Sequence, residues 1–269
     1  MNIDNNVLYA LSLTLFAGLS TGVGSLIALF SKKTNPKFLS FSLGFSAGVM
    51  IYVSMVEILV KSKEALVVEY GLKTGSWASV ISFFAGIAVI GIIDKLVPEE
   101  DNPHEFHHEE GQKCVPCEKA KLLRSGLFTA LAIAIHNFPE GIATFVAALA
   151  DPTIAIPVAV AVAIHNIPEG IAVSVPVHYA TGSRRKAFWY SFLSGLSEPI
   201  GAILAYLVLM PFLNNVLFGV IFGIVAGIMV YISLDELLPT AREYGEHHIS
   251  MSGLVAGMAL MAVSLLLFI

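Results

Sequence analysis

Apolar runs of about 20 residues, the length of a membrane-spanning helix, occupy most of this chain of 269 residues. Hydrophobic residues make up 56% of the chain and charged residues only 13%, whereas an ordinary soluble domain has about 25% charged residues. A soluble protein of this size could not bury so much apolar surface. The sequence therefore predicts an all-α polytopic membrane protein that folds as a single transmembrane domain over residues 1–269.

Polar residues, glycines and prolines divide the apolar sequence into eight predicted transmembrane helices. The link between the fourth and fifth spans is very short, at Asp151-Pro152, so these two spans are expected to form an antiparallel hairpin. The predicted spans lie at about residues 7–30, 38–60, 76–97, 124–149, 153–178, 187–210, 213–239 and 249–269.

The positive charges orient the predicted bundle. Of the 15 Lys and Arg residues, 12 lie in or beside the loops that follow spans 1, 3, 5 and 7. The other three, Lys61, Lys63 and Lys73, lie on the opposite side. Because cytoplasmic loops carry the excess of Lys and Arg, the first group of loops is predicted to be cytoplasmic. Both termini are then expected outside, in a multi-pass protein of the cell (inner or plasma) membrane.

Spans 1–3 resemble spans 6–8, in the same order. Residues 47–59 of span 2 align with residues 226–238 of span 7, with seven identities in thirteen pairs. Shorter matches relate span 1 to span 6 and span 3 to span 8. Because spans 2 and 7 cross in opposite directions, the repeat is inverted, and spans 4 and 5 lie between its halves in a 3+2+3 bundle. Inverted repeats around a midplane site are typical of secondary transporters.

Two copies of His-Asn-x-Pro-Glu-Gly lie in the middle of neighbouring spans, at residues 136–141 and 165–170. Ionisable groups at this depth are costly and are normally functional. In each copy the histidine and glutamate are four residues apart and share a helix face, so an antiparallel hairpin would bring both pairs together. Two imidazoles and two carboxylates suit Zn²⁺ and also accept Fe²⁺, Cd²⁺ or other divalent metals. The four candidate ligands are His136, Glu140, His165 and Glu169.

Other polar side chains at similar depth extend this predicted site. Asn137 and Asn166 lie about 100° around their helices from the histidines and are candidates for a second, oxygen-rich metal position that shares the glutamates. Glu198 lies mid-span, where the matching half of the repeat has Thr21. Met50 is either a thioether ligand or a packing residue.

Charged and metal-binding side chains also gather near the ends of the spans. The predicted cytoplasmic loop at about residues 98–123 is rich in histidine and acidic residues and includes Cys114 and Cys117. Such a segment cannot bury a core, and both weak metal capture and a solvated acidic linker are consistent with it. Three carboxylates either line the ends of a metal path or are solvated helix ends: Glu57, Asp235 and Glu236.

The paired motifs, the 3+2+3 order of spans and the histidine-rich loop resemble the ZIP (Zrt-/Irt-like) family of divalent-metal transporters over essentially the whole chain. The resemblance implies uptake into the cytoplasm of Zn²⁺ and of other divalent cations such as iron, manganese, cobalt and cadmium. It also implies a binuclear centre. By motif match, one site would comprise His136, Glu140, His165 and Glu169. The other would comprise Asn137, Glu140, Asn166, Glu169 and Glu198. Family members commonly dimerise, and the sequence leaves a homodimer open.

Two other functions remain alternatives. An intramembrane metalloenzyme, such as a protease, would need an activated water at an open coordination position, but the sequence contains no His-Glu-x-x-His motif. A metal sensor would bind the ion without moving it. The chain contains no Gly-x-x-x-x-Gly-Lys-Ser/Thr loop for nucleotide phosphates. The sequence thus predicts a secondary transporter rather than an enzyme, with divalent metal ions and the lipid bilayer as partners and no nucleic acid.

Overall fold

The computed structural model of the protein describes residues 5–30, 36–96, 115–150, 152–212, 214–244 and 247–266. Within these residues every regular element is a helix, as the sequence predicts. The α-helices are α1 (Asn5–Phe30), α2 (Pro36–Val53), α3 (Leu59–Leu96), α4 (Val115–Ala150), α5 (Pro152–Thr181), α6 (Arg184–Gly195), α7 (Ser197–Leu204), α8 (Asn215–Ile232), α9 (Leu238–Tyr244) and α10 (His247–Leu266).

The described helices are apolar outside and partly polar inside. On α3, the outward side chains Trp77, Ile81 and Phe84 are each more than 60% exposed. On α1, by contrast, Ser25 and Thr21 are fully buried. Small polar residues let membrane helices approach closely, and apolar side chains face lipid. The distribution of side chains therefore agrees with a bundle whose surrounding solvent is a bilayer.

Six stretches of the described residues are long and apolar enough to cross a membrane, by length and composition alone. A shorter apolar stretch, Ile133–Leu149, belongs to α4. One of the six, Pro36–Ile93, contains both the second and the third predicted span. These stretches match a polytopic helical membrane protein, and the number of eight crossings stays a prediction.

The second and third predicted spans form a hairpin that turns at Gly71. Gly71 has φ 76° and ψ 167°, a conformation that L-residues with a Cβ rarely adopt. The Oγ atoms of Ser62 and Ser79 lie 3.0 Å apart, whereas 17 residues of straight helix would separate them by about 25 Å. The chain therefore reverses within α3, between the second and third predicted spans.

The two halves of the repeat pack in the same way. A Cβ added at Gly48 of α2 would overlap the carbonyl oxygen of Leu254 on α10, and one added at Gly227 of α8 would overlap that of Phe83 on α3. Gly48 aligns with Gly227 and Leu254 with Phe83 in the two halves of the sequence. The same close helix crossing thus occurs twice, and the packing follows the predicted inverted repeat.

Both halves also leave the α-helical conformation at the same place. A π-helical turn covers Ser54–Ile58 after α2, and another covers Ser233–Leu237 after α8. In each turn the first serine donates its hydroxyl to a methionine carbonyl four residues earlier, at 2.6 Å. Single π-helical turns inside α-helices frequently mark functional sites, and these two lie at aligned positions of the repeat.

The structure differs from the prediction at the sixth span and at the start of the fourth. The predicted span 187–210 is interrupted at Leu196, because Pro199 has no N–H to donate to the carbonyl four residues earlier. Helix α4 begins at Val115 rather than near residue 124, so the end of the predicted 98–123 loop is helical. Residues 118–124 are mostly Glu, Lys, Ala, Leu and Arg, which are strong helix formers.

Candidate metal centre

The duplicated motif places two glycines where neighbouring helices cross the α4–α5 hairpin. A Cβ at Gly141 would overlap the carbonyl of Glu198, and a Cβ at Gly170 would overlap the carbonyl of Thr21. Glu198 and Thr21 are aligned in the two halves of the repeat. The glycine that ends each motif therefore lets α7 and α1 reach the hairpin, and on one side this brings Glu198 to the candidate ligands.

The two copies of the motif meet through His165 and Glu140. The Nε2 atom of His165 lies 2.9 Å from Oε1 of Glu140, and both side chains are almost fully buried. The Nδ1 atom of His165 lies 3.2 Å from the carbonyl oxygen of Ala161. Because a carbonyl only accepts, Nδ1 is the donor in this contact. Nε2 is then the atom directed at the carboxylate of the other helix.

The spacing of this pair is close to that of two ligands of one metal ion. Two atoms bound to a tetrahedral Zn²⁺ at about 2.0–2.1 Å lie about 3.3 Å apart. The observed 2.9 Å between His165 and Glu140 would therefore need to widen by only a few tenths of an ångström. His165 and Glu140, one from each copy of the motif, therefore lie in contact, and the convergence of all four candidate ligands stays a prediction.

Asn166 and Glu198 form a second buried polar group beside this pair. The Nδ2 atom of Asn166 donates to Oε1 of Glu198 and, at 3.0 Å, to the carbonyl of Ala17. Neither side chain is exposed to solvent. The break at Leu196 places Glu198 in the first turn of α7, where the unsatisfied N–H groups of a helix start favour a carboxylate.

Several polar atoms of this centre have no hydrogen-bond partner among the described residues. They are Oε2 of Glu198, Oδ1 of Asn166 and both amide atoms of Asn137, and all are buried. Buried polar groups nearly always have a partner. The centre therefore has unused capacity to bind an ion or water, and the Asn137 and Asn166 side chains stand in aligned positions of the two motif copies.

The remaining predicted residues are placed as follows. Glu169 is fully buried on α5. The backbone of His136 lies in α4, and its side chain is outside the described residues. Among the described residues no three His, Cys, Asp or Glu side chains are arranged to hold one ion. The complete ligand sets thus stay a prediction. Met50 is fully buried within the apolar core, which agrees with its packing role.

Residues at the ends of the helices are only partly described. The histidines and Cys114 of the predicted 98–123 loop lie outside the described residues, as does the side chain of Cys117. Glu236 is buried, whereas Asp235 beside it is partly buried. Sequence reasoning missed Ser46 of α2, whose hydroxyl donates to the carbonyl of His165 at 3.2 Å. Nothing in the repeat could have indicated it, because the aligned residue is Val225.

Replacing Asn166 with alanine is expected to destabilise the protein by about 1–2 kcal/mol, because buried hydrogen bonds to a carbonyl and a carboxylate are lost. Asn215→Ala is the matched control, since Asn215 also donates to a glutamate, Glu69, at 2.9 Å but at an exposed position. We expect that control to stay within about 0.5 kcal/mol of wild type. Unfolding of both purified variants in the same detergent measures their losses of stability. Equal losses would contradict the larger contribution expected from the buried hydrogen bonds of Asn166.

Comparison with known proteins relates this sequence to metal transporters. The family model described as "ZIP Zinc transporter" matches residues 93–265. A protein named "Zinc transporter ZupT" from Oceanobacillus iheyensis is 64% identical, over 98% of this chain and 99% of its own length. Proteins with the same name from Clostridium perfringens and Streptococcus mutans are 61% and 60% identical, over 98% and 99% of this chain and 98% and 100% of their own lengths.

Proposed function

This chain belongs to the ZIP zinc transporter family, and from that premise we propose that it carries Zn²⁺ into the cytoplasm through the buried centre between α4 and α5. The protein is a multi-pass membrane transporter of metal cations and not an enzyme. The relatives are named for zinc, which supports Zn²⁺ as the transported substrate. The metalloenzyme and sensor alternatives are not favoured.

The buried pair of His165 and Glu140, at 2.9 Å, is the observation that carries the proposal. In our proposal a Zn²⁺ ion enters between these atoms, and His136 and Glu169 complete its coordination. Neutral imidazoles and two carboxylates balance the charge of the ion, which matters because an unbalanced charge in a low-dielectric interior is strongly disfavoured.

We propose a second metal position on the other side of the shared glutamates. Its ligands would be Glu140 and Glu169 together with the side-chain oxygens of Asn137, Asn166 and Glu198. The buried oxygens of Asn137, Asn166 and Glu198 that have no hydrogen-bond partner among the described residues support this assignment. An oxygen-rich position suits harder ions, so Mn²⁺ is proposed as a further substrate of this position. Fe²⁺, Co²⁺ and Cd²⁺ are proposed as further substrates of the position that contains the imidazoles.

Movement of the two repeat halves around this centre would open it to one side of the membrane and then to the other. Because the halves share their close glycine crossings, each can adopt the conformation of its counterpart. The gradient of the ion supplies the driving force in this proposal. The side with most Lys and Arg is proposed as the cytoplasmic side, both termini lie outside, and two copies of the chain form the working unit.

Purified protein reconstituted in liposomes is expected to carry Zn²⁺ down its gradient, as measured with a zinc indicator sealed inside. Fe²⁺, Mn²⁺, Co²⁺ and Cd²⁺ added outside should each slow the uptake of Zn²⁺ by competing for the same centre. Protein-free liposomes are the control for leakage. Zinc binding without flux would contradict transport and favour the sensor alternative.

A further inference from the structure

One cavity connects the candidate metal centre with an ion pair on the neighbouring helices. It lies between α4, α5, α8 and the π-helical turn Ser54–Ile58, and its lining includes Glu57, Lys61, Glu140 and His165. The space open to water measures about 20 Å³, enough for one water molecule. The side chains of Glu57 and Lys61 are 21% and 25% exposed, while those of Glu140 and His165 are almost fully buried. The ion pair therefore lies at the mouth of the cavity.

The wall between the mouth and the centre is almost entirely apolar. Among the described lining residues, only Thr144 contributes a polar side chain besides the ion pair, Glu140 and His165. The other lining residues are apolar, such as Val158 and Phe222. In such a surrounding a charge acts over a longer distance than in water. Glu57 and Lys61 therefore contribute to the electrostatic potential inside the cavity beside Glu140.

The ion pair joins two neighbours on one helix face. The Nζ atom of Lys61 lies 3.5 Å from Oε1 of Glu57, four residues earlier. Glu57 belongs to the π-helical turn, and its aligned residue in the other half is Glu236. The residue aligned with Lys61 is Thr240. Both halves thus carry the carboxylate, whereas the ammonium group is a feature of this half alone.

We propose that Glu57 is the first ligand of a divalent cation that enters the cavity. Until such an ion arrives, the ammonium group of Lys61 binds the Glu57 carboxylate, and the divalent ion then displaces it. The proposal rests on the transport function proposed above. A doubly charged ion attracts the carboxylate about twice as strongly as the ammonium group does at equal distance. A monovalent ion has no such advantage. The exchange therefore favours divalent ions at the mouth, before they reach His165 and Glu140.

The test measures the KM and maximal rate of Zn²⁺ uptake into liposomes for Glu57→Gln, Lys61→Gln and the double variant. Glu57→Gln is expected to raise KM, and Lys61→Gln to lower it, each roughly two- to fivefold, the range for a partly exposed ion pair. The maximal rate should change little, because the buried centre is intact. Glu64→Gln and Lys63→Gln are the matched controls, since both residues are exposed on α3 and do not line the cavity.

The double variant distinguishes a role of Glu57 as a metal ligand from an effect of its charge on the local electrostatic potential. It has the same net charge as wild type, so a KM equal to that of wild type would overturn the role of Glu57 as a ligand. A KM that stays raised supports it. Glu57→Asp, which keeps the carboxylate, should lie closer to wild type than Glu57→Gln does. An unchanged or raised KM in Lys61→Gln would overturn the role of Lys61. Absence of flux in wild type would contradict the transport function itself, which distinguishes the two failures.

Discussion

Glu140→Ala is expected to abolish Zn²⁺ uptake in reconstituted liposomes. The substitution removes the carboxylate that lies 2.9 Å from Nε2 of His165 in a buried position. Removing one carboxylate partner of a buried cation costs about 3–5 kcal/mol, which corresponds to a loss of roughly 150- to 4000-fold in zinc affinity. Glu169→Ala should have a similar effect, because Glu169 is fully buried and is the counterpart of Glu140 in the second copy of the motif.

The controls for these two variants must separate binding from folding. Glu64→Ala removes an exposed glutamate of α3 and should leave uptake unchanged. The amount of monodisperse protein after purification reports on folding, and calorimetric titration with Zn²⁺ reports on binding. Uptake at the wild-type level in both Glu140→Ala and Glu169→Ala would rule out the proposed centre. Loss of uptake with full zinc affinity would instead place these carboxylates in the transport movement.

The approach of the two motif copies to each other can be predicted from the sequence, and the physical reason is simple. Residues four apart share a helix face, and a link as short as Asp151-Pro152 forces two helices to run side by side. These two facts predict that the two motif copies face each other without any knowledge of the remaining helices, and the contact of His165 with Glu140 is consistent with that prediction. The inverted repeat was equally accessible, because its contacts depend on glycines such as Gly48 and Gly227 that align in the sequence.

The irregular parts of the helices could not be predicted in the same way. Membrane helices are apolar on most faces, so hydropathy marks a span without showing where its hydrogen bonds shift. The π-helical turns at Ser54–Ile58 and Ser233–Leu237 therefore left no trace in the apolar pattern. The interruption at Leu196 differs from these turns because a possible cause of it, a proline, stands nearby in the sequence. Pro199 was visible in the sequence, but Pro139 lies inside an uninterrupted α4, so a proline alone does not decide whether a helix breaks.

The role of the glycines that end the two motifs emerges only from the packing. Gly141 and Gly170 follow the candidate ligands Glu140 and Glu169 directly, so from sequence alone they read as part of a metal motif. In the structure each faces the backbone of another helix. The motif therefore combines two functions: its polar residues form the centre, and its glycines hold α7 and α1 against it.

Gly170→Ala is accordingly expected to prevent normal packing of α5 against α1. The new Cβ would overlap the carbonyl oxygen of Thr21 and lie 3.1 Å from the backbone nitrogen of Ser25. These are backbone atoms, which cannot turn aside as a flexible side chain can, so the whole of α1 would have to shift. Overpacking costs about 1–3 kcal/mol and occasionally more, and a loss at the upper end is expected here because the overlap is with backbone. Because α1 also carries Ala17, the carbonyl partner of Asn166, the shift should disturb the metal centre as well.

Gly91→Ala is the matched control for this glycine. Gly91 also lies inside a helix, but a Cβ there would be 3.5 Å from the ring of Tyr231, an ordinary contact. Alanine favours a helix over glycine by about 1 kcal/mol, so Gly91→Ala should be as stable as wild type or slightly more stable. Thermal unfolding in detergent, with zinc uptake measured on the same preparations, checks both variants. If Gly170→Ala unfolds at the wild-type temperature and transports zinc normally, the close crossing of α1 and α5 is not required for the fold.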